Sequence, residues 1–266
     1  MIYKQLFTEQ RFFDKYEKNP KDAVDIIVPL KTVNELFKVN LLSWYREVPV
    51  RSVIVGDAGA SSDVLRLLCM FPRVRILDCR GMKTLGFCLK TLINEVSSES
   101  FLYLHADVFL PTGWLTEFKK ESQGVDWAES RARMLVMASY IDQYEDNAPR
   151  AFSGAQMGNT RLLQRAVSVV EDDYLYRNED IVIRELVEQS GGYYKRVNSP
   201  RFIHEQLFDE NIKKVSVQRD VSKEQTRRML WMQIHGVWKY CRRKPWYLWV
   251  LLGSWFLWLI KLRVKK

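Results

Sequence analysis

Apolar residues in the first hundred positions fall into short continuous blocks separated by stretches of helical spacing, rather than the strict alternation of a half-buried sheet. Val24–Leu30 (VDIIVPL) is a β-branched-rich run stopped by Pro29 and Lys31, which predicts a strand buried on both faces. Leu36, Phe37, Asn40, Leu41 and Trp44 then recur at helical spacing, and residues 50–55 (VRSVIV) form a second strand that runs into Gly56-Asp57-Ala58-Gly59. The rhythm repeats: Ser61 and Ser62 can cap a helix over 63–70, residues 74–77 make a third strand, 83–96 a third helix, and 101–104 a fourth strand. Strands alternating with helices at this spacing imply right-handed crossovers and an open parallel sheet. In such a sheet the ligand site lies beyond the carboxyl ends of the strands.

After Pro111 the pattern changes. It predicts a helix over 113–122, an apolar strand over 134–141, a glycine-containing loop over 152–159, a helix over 179–189 and a strand-like segment over 193–197. The expected fold is therefore α/β and Rossmann-like, a mostly parallel sheet with flanking helices, occupying residues 1–212. Residues 213–266 are set apart as a tail.

Charge sharpens that boundary. The chain of 266 residues carries a formal charge of +9, yet residues 213–266 hold 14 Lys and Arg against two acidic residues, leaving 27 basic and 30 acidic residues before them. A body so close to neutral is not a nucleic-acid-binding surface, whereas the basic tail suits anionic lipid head groups. Within the tail, residues 220–240 are broadly amphipathic. Residues 245–260 (PWYLWVLLGSWFLWLI) are free of charge and framed by Arg242, Arg243, Lys244 and Lys261. As a helix that run rises about 24 Å, short of a hydrocarbon core of about 30 Å. Trp246, Trp249, Trp255 and Trp258 favour the membrane interface, so an in-plane or re-entrant anchor is expected ahead of a single span or a core helix. Four cysteines lie in no metal-ligand or redox spacing, and the N-terminus has no apolar signal run, which together predict a cytoplasmic body.

Candidate chemistry collects at the predicted carboxyl ends. Asp57, in GDAGASSD, can accept hydrogen bonds from a nucleotide base or ribose, or simply serve its turn. Asp107, in LHADV after the fourth strand, can give a hard oxygen ligand to Mg2+ or Mn2+ carrying a diphosphate. His105 beside it reads equally as a satisfied core histidine. Asp180, with Glu179 before it, opens an amphipathic helix where a carboxylate can cap the helix or act as a base. Lys83 at a helix start can neutralise a phosphate, and late His204 can return to the metal or diphosphate.

In order, VDIIVPL with Asn34-Glu35-Leu36, VIVGDAGASSD, LYLHADVFLPTGWL and NED ahead of a helix resemble the family 2 glycosyltransferases of the GT-A fold, over roughly residues 24–206. The resemblance implies donor contacts from Pro29, Asp57, Lys83, His105 and Asp107, a divalent cation on Asp107 and His204, and Asp180 or Glu179 as the base. Gly56 stands where many members carry an acidic residue, and His105 replaces the first aspartate of the DxD element. The implied activity is inverting transfer of a sugar from a nucleoside diphosphate sugar to a lipid-linked or saccharide acceptor, at the cytoplasmic face of a membrane bearing anionic lipids. A non-catalytic nucleotide-binding membrane adaptor with a degenerate site is the alternative. No glycine-rich, arginine-bearing loop follows the first strand, which argues against a nucleotidyltransferase, and no GxGxxG follows it, which argues against a dinucleotide enzyme.

Overall fold

The computed structural model describes residues 15–16, 20–82, 85–136, 139–142, 154–170 and 179–205; for 134–136, 139–142, 179–182 and 205 it describes the backbone. Its strands are β1 (Val24–Leu30), β2 (Val50–Asp57), β3 (Val74–Asp78), β4 (Ser100–Leu104), β5 (Val108–Phe109), β6 (Trp127–Val136), β7 (Ser139–Asp142), β8 (Ala155–Asn159) and β9 (Tyr194–Glu205). Its helices are α1 (Phe37–Glu47), α2 (Ser62–Cys69), α3 (Leu85–Asn94), α4 (Trp114–Glu121), α5 (Thr160–Ser168) and α6 (Glu179–Gln189).

One sheet of order β3-β2-β1-β4-β8-β6-β9-β5, with β7 on β6, organises the chain. Strands β1 to β4 are parallel, as the continuous apolar blocks predict. The second half departs from the expected mostly parallel sheet: β8 pairs antiparallel with both β4 and β6, β5 is antiparallel to β9, and only β6 and β9 are parallel there. The expected loop over 152–159 contains strand β8 instead. Its sequence AQMGN has weak strand preference, and the pairing on both sides supplies what the sequence lacks. Gly158 has no room for a side chain, because a Cβ would meet the Trp127 ring at 2.8 Å and Phe101 at 3.0 Å. The predicted strand over 134–141 divides between the end of β6 and the antiparallel β7.

Alternate residues of β1 build two cores. Ile26, Val28 and Leu30 pack with Phe37, Leu41 and Trp44 of α1 and with Trp114 and Phe118 of α4. Ile27 faces the other way, into Leu89 and Leu92 of α3, Leu163 of α5, and Ile183 and Val187 of α6. Each fully buried Leu, Ile or Phe contributes about 1.5–3 kcal/mol relative to exposure, so both helix layers are held chiefly by this apolar contact.

Topology fixes the direction of α6. Strand β9 is parallel to β6 and so to β4, hence Tyr194 lies at the amino-end edge of the sheet. Gln189 is joined to Tyr194 by a short link through Gly191, whose φ of 81° suits glycine. Helix α6, rising about 16 Å over its length, therefore ends beside the amino edge, and its first two residues, Glu179 and Asp180, stand a helix length away. Among the described residues no helix is long and apolar enough to cross a membrane; the tail, residues 213–266, lies outside them.

Candidate functional site

Two corners form at the carboxyl edge, each on an aspartate that follows a buried strand. At the first, Asp57 ends β2 with its side chain only 4% exposed. Its Oδ1 accepts from the amides of Gly59 (2.8 Å) and Ala60 (2.7 Å). Its Oδ2 accepts from Nε (3.0 Å) and Nη2 (2.7 Å) of Arg80. Burial pushes the Asp57 carboxyl up, but the Ala60 and Gly59 amides and the Arg80 guanidinium outweigh it and hold the carboxyl below its usual range. The turn reading of Asp57 is thus realised, and the exposed group at this corner is Arg80, whose side chain is 56% exposed.

Arg80 was not singled out from the sequence. The signal lies in the parallel register, which sets Asp57 opposite Asp78, so the residue two beyond the end of β3 can reach the end of β2. The amide of Arg80 also donates to Asp78 Oδ1 at 3.0 Å, fixing the local turn.

Gly56, one residue before, is tightly enclosed. A Cβ there would overlap Cys88 Sγ and lie 3.1 Å from Cys79 Sγ. Both thiols are buried, and burial raises the pKa of each, which suits packing rather than reactivity. Cys69 is exposed. Pro29 pairs with Gly56 across β1 and β2, and the amide of Ala58 donates to Leu30 O at 2.8 Å, so the ends of the two strands are joined beside Asp57.

At the second corner the chain turns between β4 and β5. His105 N donates to Gly154 O (2.9 Å), and Val108 N donates to His105 O (3.2 Å). Asn40 Nδ2 and Trp44 Nε1 of α1 hold Ala106 O and Val108 O at 2.9 and 2.8 Å. Asp107, at the crest, has a side chain 38% exposed. Pairing of Val108 with His204 across β5 and β9 brings His204 Nε2 within 3.1 Å of Asp107 Oδ2. Burial alone raises the Asp107 carboxyl, but the bond and charge of His204, then His105, reverse this and keep it below the usual range. The His105 ring bonds the Tyr103 hydroxyl at 2.9 Å, and burial lowers its pKa, favouring neutral imidazole.

Asp107 and His204 thus present one carboxylate and one imidazole side by side. Among the described residues no group of three or more His, Cys, Asp or Glu side chains fits a metal ion. Such a pair can supply at most part of the shell of a cation whose remaining ligands are substrate phosphate oxygens and water, not an all-protein cage.

Glu179 and Asp180 are the first two residues of α6. That helix is tied to the sheet by Arg184, which donates to the Tyr194 hydroxyl (3.3 Å) and lies over its ring, while that hydroxyl donates to Glu129 Oε2 (2.6 Å). Lys83 lies outside the described residues. The carboxyl edge therefore gathers Pro29, Asp57, His105, Asp107 and His204.

The sequence matches no protein-family model and no curated protein. Its fold is similar to that of S. aureus TarS 1-349 in complex with UDP-GlcNAc, at TM-score 0.55 and 12% identity over 85% of this chain and 75% of that one. A second structure of the same S. aureus fragment gives TM-score 0.54 and 13% identity over 84% and 74%. The mannosyltransferase PcManGT from Pyrobaculum calidifontis, in complex with GDP-Man and Mn2+, gives TM-score 0.52 and 14% identity over 74% and 64%. At these identities what is shared is the fold, a mixed α/β, Rossmann-like and GT-A-like architecture.

Proposed function

We propose that this protein is a glycosyltransferase that moves a sugar from a nucleoside diphosphate sugar to an acceptor hydroxyl. The observation that carries this reading is the pairing of half-exposed Asp107 with His204 beside the Asp57 and Arg80 corner. Likeness in fold to proteins crystallised with UDP-GlcNAc and with GDP-Man and Mn2+ supports it. Arg80, oriented by Asp57, offers a guanidinium to the nucleotide, with Pro29 at its edge and Lys83 as a further phosphate contact. Asp107 and His204 hold Mg2+ or Mn2+, which when bound stabilises the charge developing on the departing diphosphate. Asp180, or its neighbour Glu179, takes the proton of the acceptor hydroxyl. That oxygen forms its bond to the sugar carbon from the face opposite the breaking bond to diphosphate, so the configuration inverts.

The acceptor we favour is a lipid-linked saccharide at the cytoplasmic face of a membrane. The basic, tryptophan-rich stretch 213–266 supports this, because anchoring on anionic lipid raises the local concentration of any acceptor in the same surface. A second reading, a nucleotide-binding membrane adaptor without turnover, is favoured by enclosed Gly56 and by His105 turned onto Tyr103.

The test is release of nucleoside diphosphate from UDP-, GDP- and dTDP-sugars by detergent-solubilised full-length protein with Mn2+ or Mg2+. Wild type is expected to release one nucleotide in a metal-dependent way. Asp107→Ala and Asp180→Asn abolish release, and Asp180→Asn still binds nucleotide. Binding without release from any donor, with every acceptor lipid tried, transfers support to the adaptor.

A further inference from the structure

Helix α1 carries no residue of the site, yet its side chains form a ladder to the main chain that follows β4. Asn40 and Trp44 reach Ala106 O and Val108 O, Ser43 Oγ accepts from Leu110 N (3.0 Å), Arg46 Nη2 donates to Leu110 O (2.7 Å), and Glu47 Oε2 accepts from Gly113 N (2.7 Å). Residues four apart share one helix face, so Asn40 and Trp44 address neighbouring points of the strand. Those points are the carbonyls on either side of Asp107.

Asn40 is fully buried and uses half of its amide: Nδ2 is bonded, whereas among the described residues Oδ1 accepts no hydrogen bond. A buried acceptor without a partner has lost its hydration with nothing in exchange. Leucine, close in volume, would fill the same space without that cost. What asparagine supplies and leucine cannot is the single bond to Ala106 O. The other four bonds of the ladder keep the segment docked without it, and His105 N on Gly154 O and Val108 N on His105 O still close the turn, so losing the Asn40 bond loosens chiefly the peptide that precedes Asp107.

We infer that Asn40, with Trp44, is a positioning residue that fixes the backbone of Asp107 so that its carboxylate meets His204 in the geometry a cation requires. This rests on reading Asp107 and His204 as the cation ligands. The pair comes from distant parts of the chain, and Asp107 belongs to a turn followed by a strand of only two residues. Such a turn has little sheet pairing to hold its angle, and the clamp from α1 provides what the strand cannot.

The experiment measures Mn2+ binding to full-length protein by electron paramagnetic resonance, with UDP or GDP at saturation, alongside nucleotide binding in EDTA and thermal unfolding. Asn40→Leu is expected to weaken Mn2+ binding by about tenfold, with a Tm close to wild type, because relief of the unpaired Oδ1 offsets the donor lost to Ala106 O, and with unchanged metal-free nucleotide binding. Trp44→Phe, which keeps an aromatic ring but removes the donor to Val108 O, should weaken Mn2+ binding in the same direction and lower the Tm. Unchanged Mn2+ binding in both variants, with loss in Asp107→Ala, overturns the inference and leaves the cation site standing. A Tm loss in Asn40→Leu that accounts for the loss of binding returns the residue to a purely structural role. Wild type that binds no Mn2+ with either nucleotide overturns the cation site and the inference together.

Discussion

The Asp57 and Asp107 corners share an edge of one sheet, yet their carboxylates are in opposite condition. Asp57 is 4% exposed and accepts four hydrogen bonds, two from backbone amides and two from one guanidinium. Asp107 is 38% exposed, with His204 as its side-chain partner. A carboxylate offers about four lone-pair directions, so the first is saturated and the second still has room for a ligand. Sequence position made the two look alike. What separates them is the guanidinium delivered by the neighbouring strand, so at the first corner it is the arginine that faces outward.

The largest effect expected follows from exchanging the two losses. Asp107→Asn should cost about a thousandfold in metal-dependent nucleotide release, since a cation contributes several kcal/mol to charge stabilisation, with a Tm close to wild type. Asp57→Asn should instead cost chiefly stability, about 2 kcal/mol through the lost charged hydrogen bonds to Arg80, with release reduced by no more than the loss of Arg80 itself causes. Denaturant titration and release assays on both variants decide it; equal losses of turnover at equal stability would erase the distinction.

Gly56→Ala is expected to destabilise by about 2 kcal/mol through overpacking against Cys88 and Cys79. Cys88→Ala in the same chain should recover most of that, a coupling that a double-mutant cycle measures directly. Arg80→Ala should weaken nucleotide binding by about tenfold, the worth of roughly one charged hydrogen bond, without changing Mn2+ affinity, as calorimetry with and without metal would register.

The smallest effect concerns a third aspartate at the opposite edge. Asp25 is 1% exposed. It accepts from the Ser52 hydroxyl (2.6 Å) and from the amides of Ser97 (2.8 Å) and Ser98 (2.9 Å). Burial pushes its carboxyl up, and the Ser52, Ser97 and Ser98 donors bring it below the ordinary value. A depressed carboxylate stabilises the fold fully above its unfolded pKa, about 3.9, and that contribution is lost as pH falls through the lower folded value. Asp25→Asn should therefore flatten the acid limb of the stability profile below about pH 5 while leaving nucleotide release at neutral pH unchanged.

Much of the first half of the fold was legible in the chain, because strands buried on both faces leave continuous runs such as VDIIVPL, and helices between them leave a helical spacing. The second half was harder to read. Strand β8 is made of Ala, Gln, Met, Gly and Asn, and its one glycine, like Gly154 just before it, answers to an aromatic ring that arrives from elsewhere: Trp127 over Gly158, Phe202 over Gly154. Helix α5 follows it at once, with Asn159 ending the strand and capping the helix by accepting from Leu162 N, so no separator marks the change. The candidate site was legible as a list of residues at strand ends. Its pairings were not, because Arg80 meets Asp57 through the register of β2 and β3, and His204 meets Asp107 through that of β5 and β9.

The two corners do not form at the same stage of folding. Residues 107 and 204 meet across the two-residue β5, which docks on the strand last in sequence among those described. Closing so long a loop is slow and carries an entropy cost that local contacts do not. A nascent chain that has folded β1 to β4 already has the Asp57 corner and its arginine, but it has half of the Asp107–His204 pair. The second corner is complete only when β9 zips along β6, so the order of synthesis is also the order in which the two corners mature.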